Sequence, residues 1–130
     1  MSPTKEEVVK FRLLKAQQDL VAAASLTSIQ SWGGVLNRLY YAAFHAVSAL
    51  LYQNDMQAKS HTGVKTLLEL YFVKTGLLPV EWGKFYAQLF NERNESDYED
   101  FAIFTEEDVL PLVPQTEKFI AVINRLINLQ

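Results

Sequence analysis

The chain has 130 residues, contains no cysteine and carries a formal net charge of −3. This length fits one domain, so we predict a single domain over residues 1–130. The lack of cysteine excludes disulfide scaffolds, thiolate zinc sites and cysteine nucleophiles, and the negative charge is not typical of a general nucleic-acid-binding protein.

The N-terminal sequence, MSPTKEEVVK, contains acidic residues and lacks the apolar segment of a secretory signal. No apolar run approaches the ~18 residues that a membrane-spanning helix needs. We therefore predict a protein that does not associate with membranes and is located in the cytoplasm.

Helical periodicity begins near the N-terminus, and no segment shows the convincing alternation of a strand. Thr4-x-x-Glu7 has the spacing of a capping box, which predicts the start of a first helix. The polar residues 25–31 and the Gly33-Gly34 pair predict the break before a second helix. Between these signals, apolar residues recur at steps of three and four and predict one buried stripe: Val9, Leu13, Ala16, Leu20 and Ala24.

The second helix is predicted from about Val35 to Gln53, because this segment lacks glycine and proline. A polar loop over residues 54–59 follows, and Ser60 is then a candidate N-cap for a third helix that ends near Gly76. The predicted inward residues are Leu36, Tyr40, Ala43, Val47 and Leu50 in the second helix, and Val64, Leu67, Leu68, Tyr71 and Phe72 in the third.

Pro79 predicts the start of a fourth helix that ends near Tyr98, since proline is favoured in the first turn of a helix. Thr105 begins a second capping motif, but Pro111 and Pro114 predict a kink or short turn before the final helix. The predicted inward residues are Trp82, Phe85, Tyr86, Leu89 and Phe90 in the fourth helix, and Phe119, Ile120, Ile123, Leu126 and Ile127 in the final one. These four to five helices with short connections predict an all-α fold, an up-and-down bundle.

Two opposite charges interrupt the apolar stripe of the fourth helix. Steps of three and four lead from Leu89 to Arg93 and Asp97, which are four positions apart and close enough to pair. Arginine ahead of aspartate is the weaker orientation, so helix stability is a poor explanation for the pair. One interpretation is a solvated helix end. The other is a guanidinium held in an interface or cleft, where it binds phosphate or carboxylate.

The second helix carries a polar and aromatic ridge beside its apolar stripe, which predicts that it is covered on two sides. One interpretation is that His45 is a structural residue of the core, with its hydrogen bonds satisfied, and that the tyrosines serve packing. The alternative is that its imidazole, which ordinarily titrates at about pH 6.5, performs acid–base chemistry if it faces Arg93. The ridge consists of Asn37, Tyr41, His45, Ser48 and Tyr52.

Two further segments contain residue types that can bind ions. Residues 59–63, with Lys59 and His61, lie at a predicted helix start, where backbone N–H groups favour an anion, although a simple helix cap explains them too. Residues 92–108 contain eight acids and one arginine, a net charge of −7. These carboxylates lack the spacing of a calcium loop, and the two histidines are 16 positions apart, so we predict no metal site.

The common enzyme signatures are missing from the sequence. It contains no phosphate loop, dinucleotide fingerprint, nucleophile elbow or HExxH motif. We therefore predict no cofactor.

Five segments of the chain form a pattern whose order and spacing are more specific than any one of them. They are residues 37–45 (NRLYYAAFH), 60–64 (SHTGV), 72–79 (FVKTGLLP), 93–101 (RNESDYEDF) and 104–107 (FTEE). Together they resemble the HEPN family, which consists of small helical-bundle proteins of bacteria and archaea, and the resemblance covers about residues 35–127.

This resemblance implies a bundle that forms a homodimer through the faces bearing the arginine motif. Many family members are encoded beside a minimal nucleotidyltransferase, with which they form a toxin–antitoxin pair. Active members are metal-independent endoribonucleases with a histidine shortly after the arginine. The corresponding positions here hold Tyr98, Glu99 and Asp100. The chain instead resembles a branch with an Arg-x-x-x-Asp-Tyr pattern, supplied by Arg93, Asp97 and Tyr98.

The first functional hypothesis is therefore a binding module, the HEPN component of such a pair. It would bind a nucleotide, RNA or the nucleotidyltransferase through the Arg93–Tyr98 motif, and the acidic stretch would receive a basic partner. The resemblance also allows the partner to attach a nucleotide to the Tyr98 hydroxyl. The binding residues would include Asn37, Tyr41, Lys59 and His61.

The alternative hypothesis is an active, metal-independent endoribonuclease. Such cleavage uses the 2′-hydroxyl of RNA as nucleophile and needs a base, an acid and a cation near the phosphate. Arg93 from both subunits would supply the cation, and His45 or His61 would replace the missing histidine. Asp97 would orient Arg93, and Tyr98 would donate a hydrogen bond. A further alternative, a structural interaction bundle without nucleotide chemistry, requires that the segment matches be accidental.

Overall fold

The computed structural model describes residues 2–98 and 103–128, without the side chains of residues 95–98. Within these ranges it contains helices and no strand, which confirms the predicted all-α bundle. None of the described helices is long and apolar enough to cross a membrane. The elements are α1 (Lys5–Ser28), α2 (Trp32–Gln53), α3 (His61–Leu68), a π-helical turn (Glu69–Val73), α4 (Val80–Tyr98), the short α5 (Glu106–Val109) and α6 (Leu112–Asn128).

α2 is the central helix of the bundle, and α1, α3, α4, α5 and α6 all pack against it. Its ridge of polar and aromatic residues is half-buried beside the apolar stripe, so the prediction that α2 is covered on two sides is confirmed. All five residues predicted to face inward are fully buried: Leu36, Tyr40, Ala43, Val47 and Leu50.

The break between α1 and α2 lies elsewhere than predicted. α1 continues through the polar residues to Ser28, and the Gly33-Gly34 pair lies in the first turn of α2. The predicted boundary is wrong because Gly34 lets the two helices approach each other closely and does not end a helix. A Cβ at Gly34 would lie 2.9 Å from Ser31 Oγ and 3.2 Å from Leu26 Cδ1, so α2 can start directly beside the end of α1.

The buried face of α1 also differs from the predicted stripe. Val9 and Ala16 are buried as predicted, but Ala24 is exposed and Ala23 takes its place. Asp19, which lies between Ala16 and Ala23 on this face, is buried as well. A face that follows 3.6 residues per turn passes through these positions, so α1 presents one carboxylate to α2.

α3 begins as predicted, because Ser60 Oγ accepts a hydrogen bond from the Gly63 N–H at 2.9 Å. The helix then widens into the π turn, in which the Lys74 N–H donates to the Glu69 carbonyl at 2.9 Å. This extra residue in the turn rotates the buried face by one position. The prediction for Tyr71 is therefore wrong: its side chain is 52% exposed, and Val73 is buried instead.

The remaining boundaries follow the sequence signals. Pro79 precedes α4 directly, and its carbonyl accepts from the Trp82 N–H at 3.0 Å. Thr105 caps α5, which has four residues, and α6 starts directly after Pro111, so the predicted short turn is confirmed. Phe119 of α6 packs against three rings of α4 at centroid distances of 5.7–5.9 Å, those of Trp82, Phe85 and Tyr86.

Gly76 lies between the π turn and α4, and a substitution there tests whether its backbone conformation contributes to stability. Gly76 has φ +83°, a left-handed conformation that alanine adopts at a cost. Gly76→Ala should lower the free energy of unfolding by about 1 kcal/mol, measured by urea denaturation. Gly76→Asn is the matched control and should cost less, because asparagine tolerates this conformation better. Equal stability of wild type and Gly76→Ala would contradict the role of the glycine.

Candidate functional site

Arg93, near the end of α4, lies against the ridge of α2. Its Nη2 donates to the Tyr41 hydroxyl at 3.0 Å, and its Nη1 donates to Asn94 Oδ1 at 3.4 Å. The guanidinium carbon is 5.3 Å from the ring centroid of Tyr41 and 5.5 Å from that of Tyr40, within the range of cation–π attraction. The Arg93 side chain is half-buried, so its interpretation as a solvated helix end is wrong.

The buried carboxylate of α1 holds two side chains of α2. Asp19 Oδ2 is 2.7 Å from His45 Nδ1, and Asp19 Oδ1 accepts from Arg38 Nη1 at 3.0 Å. The Asp19 side chain is only 11% exposed, so the Arg38 cation compensates a charge that would otherwise be costly to bury. Arg38 also donates to Asn37 Oδ1 at 2.7 Å and 3.1 Å.

His61 joins the ridge from the first turn of α3. Its Nδ1 is 2.8 Å from the Tyr40 hydroxyl, and its ring stacks on Phe44 with a centroid distance of 4.4 Å. The ring of Tyr41 meets it edge-on at 5.7 Å. The cap at Ser60 fixes the start of α3, and this places the imidazole over α2.

Together these side chains form what we call the guanidinium cluster. The Tyr41 ring is its centre, because both guanidinium carbons lie over it, that of Arg38 at 4.9 Å and that of Arg93 at 5.3 Å. The cluster consists of Asp19, Arg38, Tyr40, Tyr41, His45, His61 and Arg93.

Burial sets the protonation of the cluster. It lowers the pKa of His45 below 6.5 against the opposing effect of Asp19, and it lowers the pKa of His61 together with the charge of Arg93. Burial also raises the pKa of Tyr40 to about 12. At neutral pH the cluster therefore combines two guanidinium cations with two neutral imidazoles.

The contact with Asp19 also selects the tautomer of His45. A neutral imidazole bound to a carboxylate through Nδ1 carries its proton there, which leaves Nε2 as a hydrogen-bond acceptor. This is the arrangement of a general base held by an acidic residue. His61, bonded through Nδ1 to a hydroxyl, has no such carboxylate among its described contacts.

The structure brings together four of the residues that the sequence singled out, namely Tyr41, His45, His61 and Arg93. Asn37 joins them through Arg38. Lys59 is exposed in the loop before Ser60, and among the described residues it has no hydrogen bond or ion pair with the cluster. The predictions for Asp97 and Tyr98 concern side chains outside the described part of the chain.

Sequence reasoning missed Asp19. The available signal was an acid at the step between Ala16 and Ala23, in the middle of a stripe of small and apolar residues. A single acid at such a position is usually assigned to the edge of the stripe. Its partners, Arg38 and His45, lie 19 and 26 positions further along the chain, and only the packing of α1 on α2 joins them.

Comparisons with known proteins agree with the segments of resemblance. A family model described as HEPN domain matches residues 9–126. A UPF0332 protein of Thermotoga maritima is 35% identical over 124 residues, which cover 95% of this chain and 94% of that protein. Two proteins of Methanocaldococcus jannaschii carry the name "Putative toxin". One is 31% identical over 105 residues (81% of this chain, 78% of that protein), and the other 32% over 95 residues (73% and 64%).

The buried imidazoles predict how stability depends on pH. Because the pKa values of His45 and His61 are lower in the folded than in the unfolded chain, protonation favours unfolding. The contribution of the two imidazoles to stability should be complete above pH 6.5 and should be lost as the pH falls from 6.5 towards the folded pKa values. Asp19→Asn should lower the pKa of His45 further, which histidine resonances in an NMR titration would report. A higher pKa of His45 in this variant would contradict the role of Asp19.

Proposed function

The chain belongs to the HEPN domain family, and we propose that it is the HEPN component of a toxin–antitoxin-type pair that binds phosphate groups of a nucleotide or RNA. The names of the two Methanocaldococcus jannaschii relatives support the toxin-like role. The observation that carries the proposal is the half-buried guanidinium of Arg93, which donates a hydrogen bond to Tyr41 and lies near the neutral imidazole of His61.

The chemistry of this arrangement suits a phosphate. A guanidinium presents several N–H donors in a planar fork, and its interaction with an anion is stronger in a partly desolvated site than in water. Arg38 is already paired with Asp19, so its charge is largely compensated. The guanidinium of Arg93, held by the hydroxyl and the ring of Tyr41, is the cation of the cluster that we assign to the ligand.

We propose two partners for this chain, a nucleotidyltransferase and a second copy of the chain itself. A minimal nucleotidyltransferase, encoded nearby, would be the second member of the pair, and the acidic stretch of residues 92–108 would attract its basic surface. A homodimer that joins the faces bearing Arg93 would place two guanidinium groups at one site. We also propose that the chain and both partners are located in the cytoplasm.

Growth and binding experiments with Arg93 variants test this function. Expression of the wild type should slow growth, co-expression of the product of the neighbouring gene should restore it, and Arg93→Ala should be harmless. The purified variant should bind a fluorescent nucleotide at least about tenfold more weakly, since a charge-assisted contact is worth ~1.5–3 kcal/mol. Arg125→Ala, an exposed arginine of α6, is the matched control. Toxicity and binding that Arg93→Ala leaves unchanged would refute the proposal.

A second candidate function is metal-independent endoribonuclease activity. It is favoured by one observation, the 2.7 Å contact between Asp19 and His45, which leaves Nε2 as a base. The 2′-hydroxyl would give its proton to this nitrogen as its oxygen bonds to phosphorus, and the 5′-oxygen would leave with a proton from water. The products would be a 2′,3′-cyclic phosphate and a 5′-hydroxyl, and Arg93 would stabilise the charge on the phosphate.

RNA cleavage in the presence of a chelator distinguishes this candidate from simple binding. His45→Gln should reduce the rate by about 100-fold or more, because general-base catalysis typically contributes 10²–10⁴-fold. Asp19→Asn should also reduce it, since the wrong tautomer of His45 would be favoured. Both variants should retain nucleotide binding, which separates loss of the base from loss of the site. Equal background cleavage by wild type and Arg93→Ala would exclude the enzyme.

A further inference from the structure

A cavity of about 370 Å³ lies between α3, the π turn and α4. Two of its edges carry an exposed apolar residue that is followed four positions later by an exposed lysine. These pairs are Leu70 with Lys74 and Val80 with Lys84. We call this surface the lysine cavity, and it is basic because its charged lining consists of Lys65, Lys74, Lys84 and Glu69.

The lysine cavity exposes apolar side chains to solvent. Leu70 is 42% exposed and Val80 is 52% exposed, while Leu68 and Val73 on its inner side are buried. Gly83 brings α4 close to the π turn, because a Cβ there would lie 2.9 Å from Val73 Cγ2. Exposed apolar side chains that cluster within a rim of charges are typical of a surface that binds another protein.

The outer side of α5 carries the opposite charge. Val109 is fully buried and anchors α5 on the bundle, and Thr105 Oγ1 caps the helix by accepting from the Asp108 N–H at 3.3 Å. Two large apolar residues stay exposed, Ile103 at 83% and Leu110 at 40%. Together with two exposed acids they form what we call the α5 patch, which consists of Ile103, Glu106, Glu107 and Leu110.

The lysine cavity and the α5 patch are complementary in charge and in spacing. The patch repeats the four-residue step of the cavity edges, from Ile103 to Glu107 and from Glu106 to Leu110. The described ion pairs include neither the glutamates of the patch nor the lysines of the cavity. Residues 92–108 carry a net charge of −7 and the rest of the chain carries +4. Opposite charges on two surfaces of one protein favour contact between its copies.

Within one chain the two surfaces lie on different elements. α5 packs on α2 and α6, whereas the lysine cavity is bordered by α3, the π turn and α4. Because the buried Val109 fixes α5 in its place, an α5 patch that fills the lysine cavity must come from a second copy of the chain.

We propose that the lysine cavity of one copy binds the α5 patch of a second copy. Ile103 and Leu110 would cover the apolar floor, and the two glutamates would meet Lys74 and Lys84. This contact goes beyond the proposed function, because it uses neither Arg93 nor a nucleotide. It is heterologous, since the two surfaces differ, and its small size predicts weak and reversible association that strengthens at low salt.

Charge reversal on each surface, followed by mixing of the two variants, tests this contact. The cavity variant is Lys74→Glu with Lys84→Glu, and the patch variant is Glu106→Lys with Glu107→Lys. One full-length chain, labelled with a dye at its N-terminus, is titrated with an unlabelled chain, and fluorescence anisotropy reports association. Circular dichroism verifies that each variant is folded.

The matched control is Lys10→Glu with Lys118→Glu, two exposed lysines on α1 and α6. It changes the net charge by the same amount as the cavity variant, but its residues lie outside both surfaces. Contacts elsewhere, including a dimer through the faces bearing Arg93, are retained in every titration. They therefore cancel when the mixture of the two variants is compared with each variant alone.

Each variant should associate with itself at least about tenfold more weakly than the wild type, because like charges would then meet. The mixture should regain an affinity within about threefold of the wild type, since each contact again joins opposite charges. The control should associate like the wild type. Ile103→Ser should also weaken association, with little change in its salt dependence, because it removes apolar contact and no charge.

Four results would overturn the inference. One is a mixture that associates no better than either variant with itself, and another is a wild type that does not self-associate at its highest soluble concentration. The third is equal weakening by the cavity variant and the control. The fourth is an association that the cavity variant weakens and the patch variant does not, which would assign the lysine cavity to a different acidic surface.

Discussion

The cluster of charged and aromatic side chains exists because α2 is covered by helices that each bring one partner to it. α1 contributes the carboxylate of Asp19, α3 contributes the imidazole of His61, and α4 contributes the guanidinium of Arg93. The apolar stripe of α2 is fully buried, and its burial sets the positions of these helices. Hydrophobic packing thus determines the distances between polar groups that are remote in the sequence.

Burial of charge constrains this arrangement further. Asp19 is an acid in a nearly closed environment, and it is tolerated because Arg38 neutralises it and His45 bonds to it. The same burial keeps both imidazoles neutral, so the positive charge of the cluster is concentrated on the guanidinium groups. Tyr41 contacts both of these groups, and this common contact couples the α1 side of the cluster to the α4 side.

Family membership and geometry bear on different parts of the functional question. The match over residues 9–126 removes the condition for the third alternative, which required accidental segment matches. The geometry adds what the family name does not contain, a carboxylate on α1 that holds His45. This carboxylate lies on a helix outside the arginine motif of α4.

The sequence by itself determined the class of fold and most helix boundaries, because these depend on local signals. The period of α2 predicted its buried stripe, and Ser60, Gly76 and Pro79 marked the ends of helices through caps and fixed dihedral angles. Only the tertiary structure decided the π turn that exposes Tyr71, the entry of α2 at Gly34 and the burial of Asp19. These features depend on which surfaces meet, and contacts between residues 19 to 52 positions apart leave no periodic signal in the chain.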